Sequence, residues 1–316
     1  MRLLVVLAAL LLLAACSTPP LPSPTAGGGP GAAVPTLRWE PEGVPRARVL
    51  ALHGFNDHKA SFAEFGAFAA EHGVLVEAYD QSGFGERDNA GLWPGLPALV
   101  AELEGAIGRL RTEQPKAPLF VLGESMGAAI AVVALAAPDA LAVDGLILSA
   151  PAVWGGDTLN PFYRALLWVM VRVAPGLQLT GRDLGILASD NLEMLRALGA
   201  DPLYIKATRV DAIAGLVAVM DAARAAGPEL RGPLLVLTGV RDEVVTPDIQ
   251  SSFVATLRAP ECLHVDYPEG WHLLLRDLGR RVVWEDVLAW TEGRPLPWGL
   301  GRPCASAAEV AAASGR

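Results

Sequence analysis

Residues 119–136 read LFVLGESMGAAIAVVALA, and this segment is the most informative about the fold. The apolar run Leu119–Leu122 predicts a buried strand, and the small apolar residues Ala128–Ala136 predict a buried helix. Between them lies Gly123-Glu124-Ser125-Met126-Gly127, a serine with a glycine two residues to either side. A serine on a sharp strand-to-helix turn needs such small neighbours, because the backbone is strained and closely packed there. The hydroxyl of Ser125 would then stand at a helix N-terminus, where the helix dipole favours developing negative charge. A glycine-rich turn with a helix-capping serine is the alternative interpretation.

Short apolar runs alternate with helix-like stretches on both sides of this segment. The predicted strands are Arg48–Leu52, Val74–Tyr79, Leu119–Leu122, Leu146–Leu148, Leu234–Leu237 and Leu263–Tyr267. Strands that alternate with helices predict a mostly parallel central sheet with helices on both faces. In such a sheet the functional groups collect at the carboxyl ends of the strands. The fold class is therefore α/β.

The alternation of strands and helices stops between Pro151 and about Gly227, where the sequence shows no clear strand. We interpret residues 153–227 as a helical cap inserted into a core of residues 36–152 and 228–292, with a C-terminal tail over 293–316. The length of 316 residues suits one such domain with an insertion, or two small domains.

A serine nucleophile needs a base, and the base needs an orienting acid. In folds with this type of turn, the order along the chain is serine, acid, histidine. Asp242 lies in a loop directly after a predicted strand, and we take it as the acid, with Glu243 and Asp266 as rivals. His272 lies in the loop after the last predicted strand, and we take it as the base, although a surface histidine is the alternative.

The other four histidines fit the role of base less well. His53 directly follows a strand and suits the loop that binds an oxyanion, and His58 lies in that same loop. His72 stands near a helix end, and His264 alternates within a strand. Among the five, His272 alone combines a position after the acid with a loop after a strand.

An oxyanion needs two backbone N–H donors. We expect one from Met126, the residue after the serine, and one from Phe55 in the loop that begins with His53-Gly54. His58 is either a pocket residue or an exposed loop histidine. Trp168 lies in a cap stretch that is apolar nearly all round, which suits either a lipid acyl chain or a helix packed on the core.

The first residues of the chain form the next most informative segment. Met1-Arg2 is followed by an apolar run from Leu3 to Ala15, which is too short to span a bilayer but is typical of a secretory signal. Its end, Leu13-Ala14-Ala15-Cys16, resembles the lipobox of bacterial lipoproteins, in which the cysteine is lipidated. We expect residues 1–15 to be the signal, Cys16 to carry lipid and residues 16–35 to be a Pro/Gly-rich flexible tether. The alternative is an ordinary signal peptide that happens to contain a cysteine.

By resemblance to known sorting rules, Ser17 after the cysteine favours an outer-membrane or periplasm-facing location in a Gram-negative bacterium. Two cysteines remain, Cys262 and Cys304, and an exported location permits a disulfide between them, although the sequence leaves the pairing open. Their spacing matches no metal site. The chain is 52% hydrophobic and 19% charged with a net charge of -9, which suits a globular protein and makes a nucleic-acid partner unexpected.

The motifs together resemble the monoacylglycerol lipase and lysophospholipase branch of the α/β-hydrolases. The matching pieces, spread over about residues 45–292, are His53-Gly54-Phe55-Asn56-Asp57-His58, Asp80-Gln81-Ser82-Gly83-Phe84-Gly85, the Gly123–Gly127 turn, Asp242 and His272. The resemblance implies an α/β-hydrolase fold with a helical cap, a Ser125-Asp242-His272 triad, no cofactor and no metal, and a glycerol or lysophospholipid ester as substrate. His53, His58 and Trp168 are the candidate substrate-binding residues.

Two positions depart from the family pattern. Many relatives carry histidine where this chain has Glu124, and a second glycine where it has Ala128. Both positions lie beside the serine and could tune the substrate, and neither removes a part of the triad. An acyltransferase that uses the same triad is the alternative activity, and an inactive binding lipoprotein is a third hypothesis. A dehalogenase is disfavoured, because its nucleophile would be a carboxylate in place of Ser125.

Overall fold

A single eight-stranded sheet organises the computed structural model, which describes residues 34–155, 160–181 and 185–304. The strands are β1 (Thr36–Trp39), β2 (Ala47–Leu52), β3 (Val74–Tyr79), β4 (Leu119–Glu124), β5 (Gly145–Ser149), β6 (Gln178–Leu179), β7 (Thr208–Arg209), β8 (Leu234–Gly239), β9 (Cys262–Tyr267) and β10 (Arg302–Pro303). The order across the sheet is β1-β3-β2-β4-β5-β8-β9-β10, and β6 pairs with β7 outside it. The predicted signal, Cys16, nearly all of the tether and the last residues of the tail lie outside the described residues.

Helices cover both faces of the sheet. They are α1 (Ala63–Glu71), α2 (Leu96–Glu113), α3 (Met126–Leu135), α4 (Pro161–Val173), α5 (Leu192–Ala200), α6 (Val210–Ala226), α7 (Pro247–Val254) and α8 (Arg280–Thr291). Short 3-10 turns precede α1 and follow α6. The predicted α/β fold class, with a mostly parallel sheet between two helical layers, is confirmed.

The two layers follow from the alternation of side chains along each strand. In β2, Leu50 and Leu52 face the core shared with α2, α3 and α6, whereas Val49 and Ala51 face the core shared with α1 and α8. Every residue of β2, β3, β4, β5 and β8 is buried. Parallel strands covered on both faces are expected to be apolar in this continuous way. The inner strands could therefore be predicted from the sequence.

The segment between β5 and β8 carries α4, β6, α5, β7 and α6. Its last helix, α6, packs on α3 and buries Val219, Met220 and Ala223 in the same core as the sheet. The remaining pieces lie over the carboxyl ends of the strands as a cap. We predicted no strand here, but β6 and β7 pair antiparallel over two residues each, which is too short to leave a periodic pattern.

Both edges of the main sheet are antiparallel. β1 pairs with β3, and β10 pairs with β9. The disulfide Cys262–Cys304, whose Cα atoms are 5.4 Å apart, ties the end of the described tail to β9. The tail is thus part of the sheet domain as far as Cys304. In the described ranges no helix is long and apolar enough to span a bilayer.

Candidate active site

Ser125 occupies the turn between β4 and α3. Its backbone has φ 53°, a left-handed conformation that non-glycine residues adopt rarely and mostly at functional turns. A Cβ at Gly123 would collide with the backbone of Ala128, and one at Gly127 would collide with the carbonyl oxygen of Leu52. The two glycines therefore allow β2 and α3 to close around the turn, and the serine projects from it.

Three side chains from separate loops form one hydrogen-bonded row. His272 Nε2 lies 2.9 Å from Ser125 Oγ, and His272 Nδ1 lies 2.8 Å from Asp242 Oδ2. Asp242 follows β8 and His272 follows β9, so the parallel sheet brings both to the edge at which β4 ends. The row can accept the proton of the Ser125 hydroxyl on Nε2 while Nδ1–H donates to the carboxylate.

The Asp242 carboxylate is buried and fully hydrogen bonded. Oδ1 accepts the N–H groups of Val244 and Val245, both at 2.8 Å, and Oδ2 accepts from His272 and from the side-chain amide of Gln250 at 2.8 Å. Four donors hold the carboxylate in one orientation. Gln250 could not be predicted from the sequence, since nothing in the pattern of α7 marks a glutamine that points back to the preceding loop.

The two rival carboxylates point elsewhere. Glu243 accepts the N–H of Leu187 at 2.7 Å, and Asp266 accepts from Thr238 at 2.6 Å. Neither has a hydrogen bond with His272 among the described residues. The geometry therefore brings Asp242, rather than Glu243 or Asp266, to the imidazole.

Burial and the charge of Asp242 shift the pKa of His272 in opposite directions. Burial lowers the pKa of His272, but the charge of Asp242, its hydrogen bond and the charge of Glu124 together outweigh burial and the opposing charge of Arg276, so the pKa is raised. The imidazole is therefore a stronger base than an ordinary histidine, which suits a group that takes a proton from a hydroxyl.

The loop after β2 lies directly against the turn. Leu52 pairs with Gly123 in the sheet, and a Cβ at Gly54 would lie 3.4 Å from the Cβ of Ser125. Within the described part of the chain, the N–H groups of Phe55 and Met126 donate to no other protein group. Two such free donors beside the serine are available for an oxyanion.

His53 has a position different from the one expected of a substrate-binding residue. Its side chain is fully buried, with Nδ1 2.8 Å from the Gly54 oxygen and Nε2 accepting the N–H of Gln81 at 3.1 Å. Burial is the main reason that its pKa is lowered, so it stays neutral. Both ring nitrogens are used by the backbone, and His53 therefore supports the loop from beneath.

His58 and Asn56 connect the same loop to the cap. His58 is buried, and its Nε2 lies 3.0 Å from Oδ2 of Asp201. Asn56 donates to the Thr208 hydroxyl at 2.7 Å, and its carbonyl accepts the N–H of Ile205 at 2.9 Å. The structure thus places His58 at the junction of loop and cap. His58 does not line the apolar cavity whose wall includes Ser125.

That cavity, of about 560 Å³, opens at Ser125 beneath the cap. Its wall contains no charged side chain among the described residues and consists of Ser125, Ala152, Trp154, Tyr163, Leu166, Leu167, Met170, Leu179, Ile186, Val210, Ile213, Leu216, Val217, Met220, Val244 and Val245. One face of α4 and one face of α6 supply most of these residues. An apolar cavity of this size, with few polar groups at one end, is typical of a small-molecule site.

Trp168 corrects our expectation for α4. The tryptophan is 59% exposed, and the guanidinium of Arg172 lies over its ring, 3.7 Å from the centroid. It lies on α4 one position beyond Leu167, which lines the cavity, and the 100° turn per residue carries it to the outer face. Because α4 is apolar nearly all round, the sequence alone could not show which face lies toward the cavity.

No group of three or more His, Cys, Asp or Glu side chains is arranged to hold a metal ion in residues 34–155, 160–181 and 185–304.

Comparison with known proteins places this site in context. Residues 43–279 match the model of the Hydrolase_4 family, described as "Serine aminopeptidase, S33". The chain is 29% identical to the monoacylglycerol lipase of Mycolicibacterium smegmatis over 258 residues, which cover 80% of this chain and 90% of that protein. It is 24% identical to the Homo sapiens monoglyceride lipase over 271 residues, 84% of this chain and 88% of the relative.

Solved structures are similar as well. The crystal structure of Paleococcus ferrophilus monoacylglycerol lipase superposes with a TM-score of 0.69 at 19% identity, covering 83% of this chain and 99% of that one. A soluble variant of the Saccharomyces cerevisiae monoglyceride lipase, in complex with a substrate analogue, superposes with a TM-score of 0.70 at 19% identity, covering 88% and 99%. At these identities the likeness shows the α/β-hydrolase fold.

Proposed function

The chain belongs to the Hydrolase_4 family, and from this premise we propose that it cleaves monoacylglycerols or similar single-chain lipid esters through an acyl-enzyme on Ser125. The protein is a carboxylic ester hydrolase of the lipase and esterase kind. The substrate class and the covalent mechanism are the proposed parts. One observation carries both of them: the wall of the apolar cavity of about 560 Å³ includes Ser125, whose Oγ lies 2.9 Å from His272.

The cavity supports an acyl chain as the part of the substrate that is buried. A wall of aliphatic and aromatic side chains gains free energy by removing CH₂ groups from water, at about 0.8 kcal/mol for each. Among the described residues, this wall offers no charged partner for a polar head group. The ester carbonyl would therefore lie at Ser125 with its acyl chain in the cavity, and the alcohol would leave toward the polar end of the site.

Acylation begins when His272 Nε2 takes the proton of Ser125 and Oγ attacks the ester carbonyl. The Nδ1–H of His272 donates to Asp242, whose charge stabilises the imidazolium that forms. The N–H groups of Phe55 and Met126 donate to the oxyanion of the tetrahedral intermediate. When the intermediate collapses, His272 returns the proton to the leaving alcohol oxygen, and the acyl group remains on Oγ.

Deacylation repeats these steps with water as the nucleophile. His272 takes a proton from water, the hydroxide oxygen attacks the acyl carbonyl, and the second tetrahedral intermediate releases the fatty acid while Oγ regains a proton. The loss of one oxyanion donor in comparable sites slows kcat about 100- to 1,000-fold. The relatives named monoacylglycerol lipase and monoglyceride lipase support a glycerol ester as the substrate.

The test is hydrolysis of 1-monoacylglycerols and p-nitrophenyl esters of increasing chain length by the protein, by Ser125→Ala and by a matched control, Ser252→Ala. Ser252 is an exposed serine on α7. We expect the wild type and Ser252→Ala to share one chain-length optimum, and Ser125→Ala to be inactive. A wild type that hydrolyses no ester would contradict the proposal and favour a binding role. Acyl ester formed with an added alcohol, in place of free fatty acid, would favour the acyltransferase alternative.

We propose further that the protein is exported and anchored to a membrane through lipid on Cys16. The pattern Leu13-Ala14-Ala15-Cys16 supports this, and the Cys262–Cys304 disulfide is consistent with an oxidising compartment. Incorporation of labelled palmitate in a bacterial host tests the proposal. The label is expected on the wild type, and Cys16→Ser should lose both the label and the membrane fraction. Equal labelling of the two proteins would contradict it.

A further inference from the structure

Arg276 is a buried cation beside the catalytic row. One of its guanidinium nitrogens, Nη2, lies 2.6 Å from Asp57 Oδ2 and 2.8 Å from Glu124 Oε1. All three side chains are buried, at 7%, 4% and 1% exposed. Burial lowers the pKa of Arg276, but the two carboxylates outweigh it and raise the pKa, so the guanidinium stays charged.

Each member of this cluster belongs to a different segment of the site. Glu124 is the residue before Ser125, Asp57 lies two residues after Phe55, and Arg276 lies four residues after His272. The segment that carries both His272 and Arg276 is closed by a hydrogen bond, because Asp277 accepts the N–H of Trp271 at 2.7 Å. A single nitrogen therefore joins the segment of the nucleophile, the segment of one oxyanion donor and the segment of the base.

The cluster also sets the charge around the imidazole. Two carboxylates share one guanidinium, so the group is negative overall. The charged groups that act on the pKa of His272 are Asp242 and Glu124, which raise it, and Arg276, which lowers it. The charge of Asp57 raises the pKa of the Tyr204 phenol in the cap, and the charge of Arg276 lowers it. The charge of Glu124 raises the pKa of the Asp277 carboxyl. Glu124, one of the two positions that depart from the family pattern, is coupled to Arg276 by its hydrogen bond at 2.8 Å.

We propose that Arg276 is a positioning residue, which through Asp57 and Glu124 holds the Phe55 loop and the Ser125 turn in register with His272. The inference rests on the proposed role of Ser125 as nucleophile. A displacement of about 1 Å between reacting groups can cost on the order of 100-fold in rate. A cluster that fixes three segments with one buried cation can therefore control kcat without touching the substrate.

The experiment compares Arg276→Lys and Glu124→Gln with the matched control Glu77→Gln. Glu77 is a fully buried carboxylate on β3 that pairs with Arg109 and Arg38, on a segment without a proposed active-site residue. For each protein, kcat, KM and the pH profile of p-nitrophenyl butyrate hydrolysis are measured, together with thermal unfolding. The rate of phosphonylation by an alkyl fluorophosphonate reports on Ser125 without depending on the natural substrate.

Arg276→Lys keeps the charge but loses the planar fork of the guanidinium. We expect it to lower kcat and the phosphonylation rate by about 10- to 100-fold with KM changed less than about threefold. Glu124→Gln keeps a hydrogen-bond acceptor for Arg276 and removes one charge, so it tests the cluster independently of the folding of Arg276→Lys. Because the charge of Glu124 raises the pKa of His272, we expect the acid limb of the pH–activity profile of this variant to move to lower pH by roughly one unit.

Glu77→Gln is expected to lower only the unfolding temperature. If Arg276→Lys and Glu124→Gln behave like it, with kcat, phosphonylation and the acid limb unchanged, the cluster is structural and the proposal is overturned. A wild type that reacts with the phosphonate but cleaves no ester would contradict the proposed function alone, and the phosphonylation rates would still decide the role of Arg276.

Discussion

Replacement of Asp242 by asparagine probes the catalytic row most directly, because all four hydrogen bonds to the carboxylate are known. Oδ1 accepts from the N–H groups of Val244 and Val245, and Oδ2 accepts from Gln250 and His272. An asparagine has one oxygen and one NH₂ group. Whichever way the amide turns, its NH₂ group faces two donors that had an acceptor in the wild type.

The orientation that keeps both backbone donors places the oxygen at the Oδ1 position and the NH₂ group toward Nδ1 of His272. The imidazole must then carry its proton on Nε2 and can no longer accept the proton of Ser125. In comparable enzymes the asparagine variant loses on the order of 10⁴-fold in kcat, which is about 5 kcal/mol of barrier. In this tautomer Nδ1 accepts from the asparagine, so Gln250 is the one donor left opposed, and this destabilises the folded state by roughly 1–3 kcal/mol.

The assay is steady-state hydrolysis of p-nitrophenyl butyrate by the wild type, Asp242→Asn and the matched control Glu243→Gln, with thermal unfolding of all three. Glu243 is the neighbouring carboxylate and bonds only to Leu187 N among the described contacts. We expect Glu243→Gln to keep its activity within about threefold. Retention of more than a tenth of kcat in Asp242→Asn, or an equal loss in Glu243→Gln, would refute the assignment of the acid.

Three further outcomes are expected. Since the pKa of His272 is raised above the ordinary 6.5 and catalysis needs its neutral form, kcat/KM of the wild type should fall with decreasing pH through a value above 6.5. Burial raises the pKa of Asp277 from 3.8 to about 6, so stability should drop by up to about 3 kcal/mol as pH rises from 4 to 7, and Asp277→Asn should abolish that drop in thermal melts. Cys304→Ser opens the link to Cys262 across 42 residues and should lower the free energy of unfolding by about 4 kcal/mol in denaturant titrations.

Each of these three has a contradicting result. An acid limb at or below 6.5 would mean that the charges of Asp242 and Glu124 do not outweigh burial. If the stability of Asp277→Asn depends on pH as strongly as that of the wild type, other groups cause the loss of stability between pH 4 and 7. A reductant that lowers the stability of Cys304→Ser as much as that of the wild type would show that the effect does not come from this disulfide.

The inner strands of the fold could be predicted because burial on both faces leaves a continuous apolar run, as in β2 and β8. The edge strands could not. No residue of β1 is fully buried, and both residues of β10 are exposed, so neither strand has a run or an alternation long enough to detect. The Cys262–Cys304 pairing depends on a Cα separation of 5.4 Å, which arises only when β10 adds to β9.

The residues of the site likewise fall into those that a local sequence pattern predicts and those that only packing places. The turn around Ser125 is local, and the glycines that it requires stand within two residues of it. Gln250 reaches Asp242 from the helix that follows, and the sequence carries no signal for this contact. His53 and Trp168 are placed by the packing around them: His53 bonds to the backbone beneath the loop, and Trp168 turns to the outside of α4.

The class of sheet, the position of the sharp turn and the order of serine, acid and histidine could be read from the amino-acid sequence. These features depend on residues that are neighbours in the chain, or on the periodicity that burial imposes on a strand or helix. The folded structure was needed to show which carboxylate meets His272, which face of α4 lines the cavity and that Arg276 joins Asp57 to Glu124. Contacts between residues as far apart as 57, 124 and 276 depend on strand register and loop packing, which no local pattern encodes.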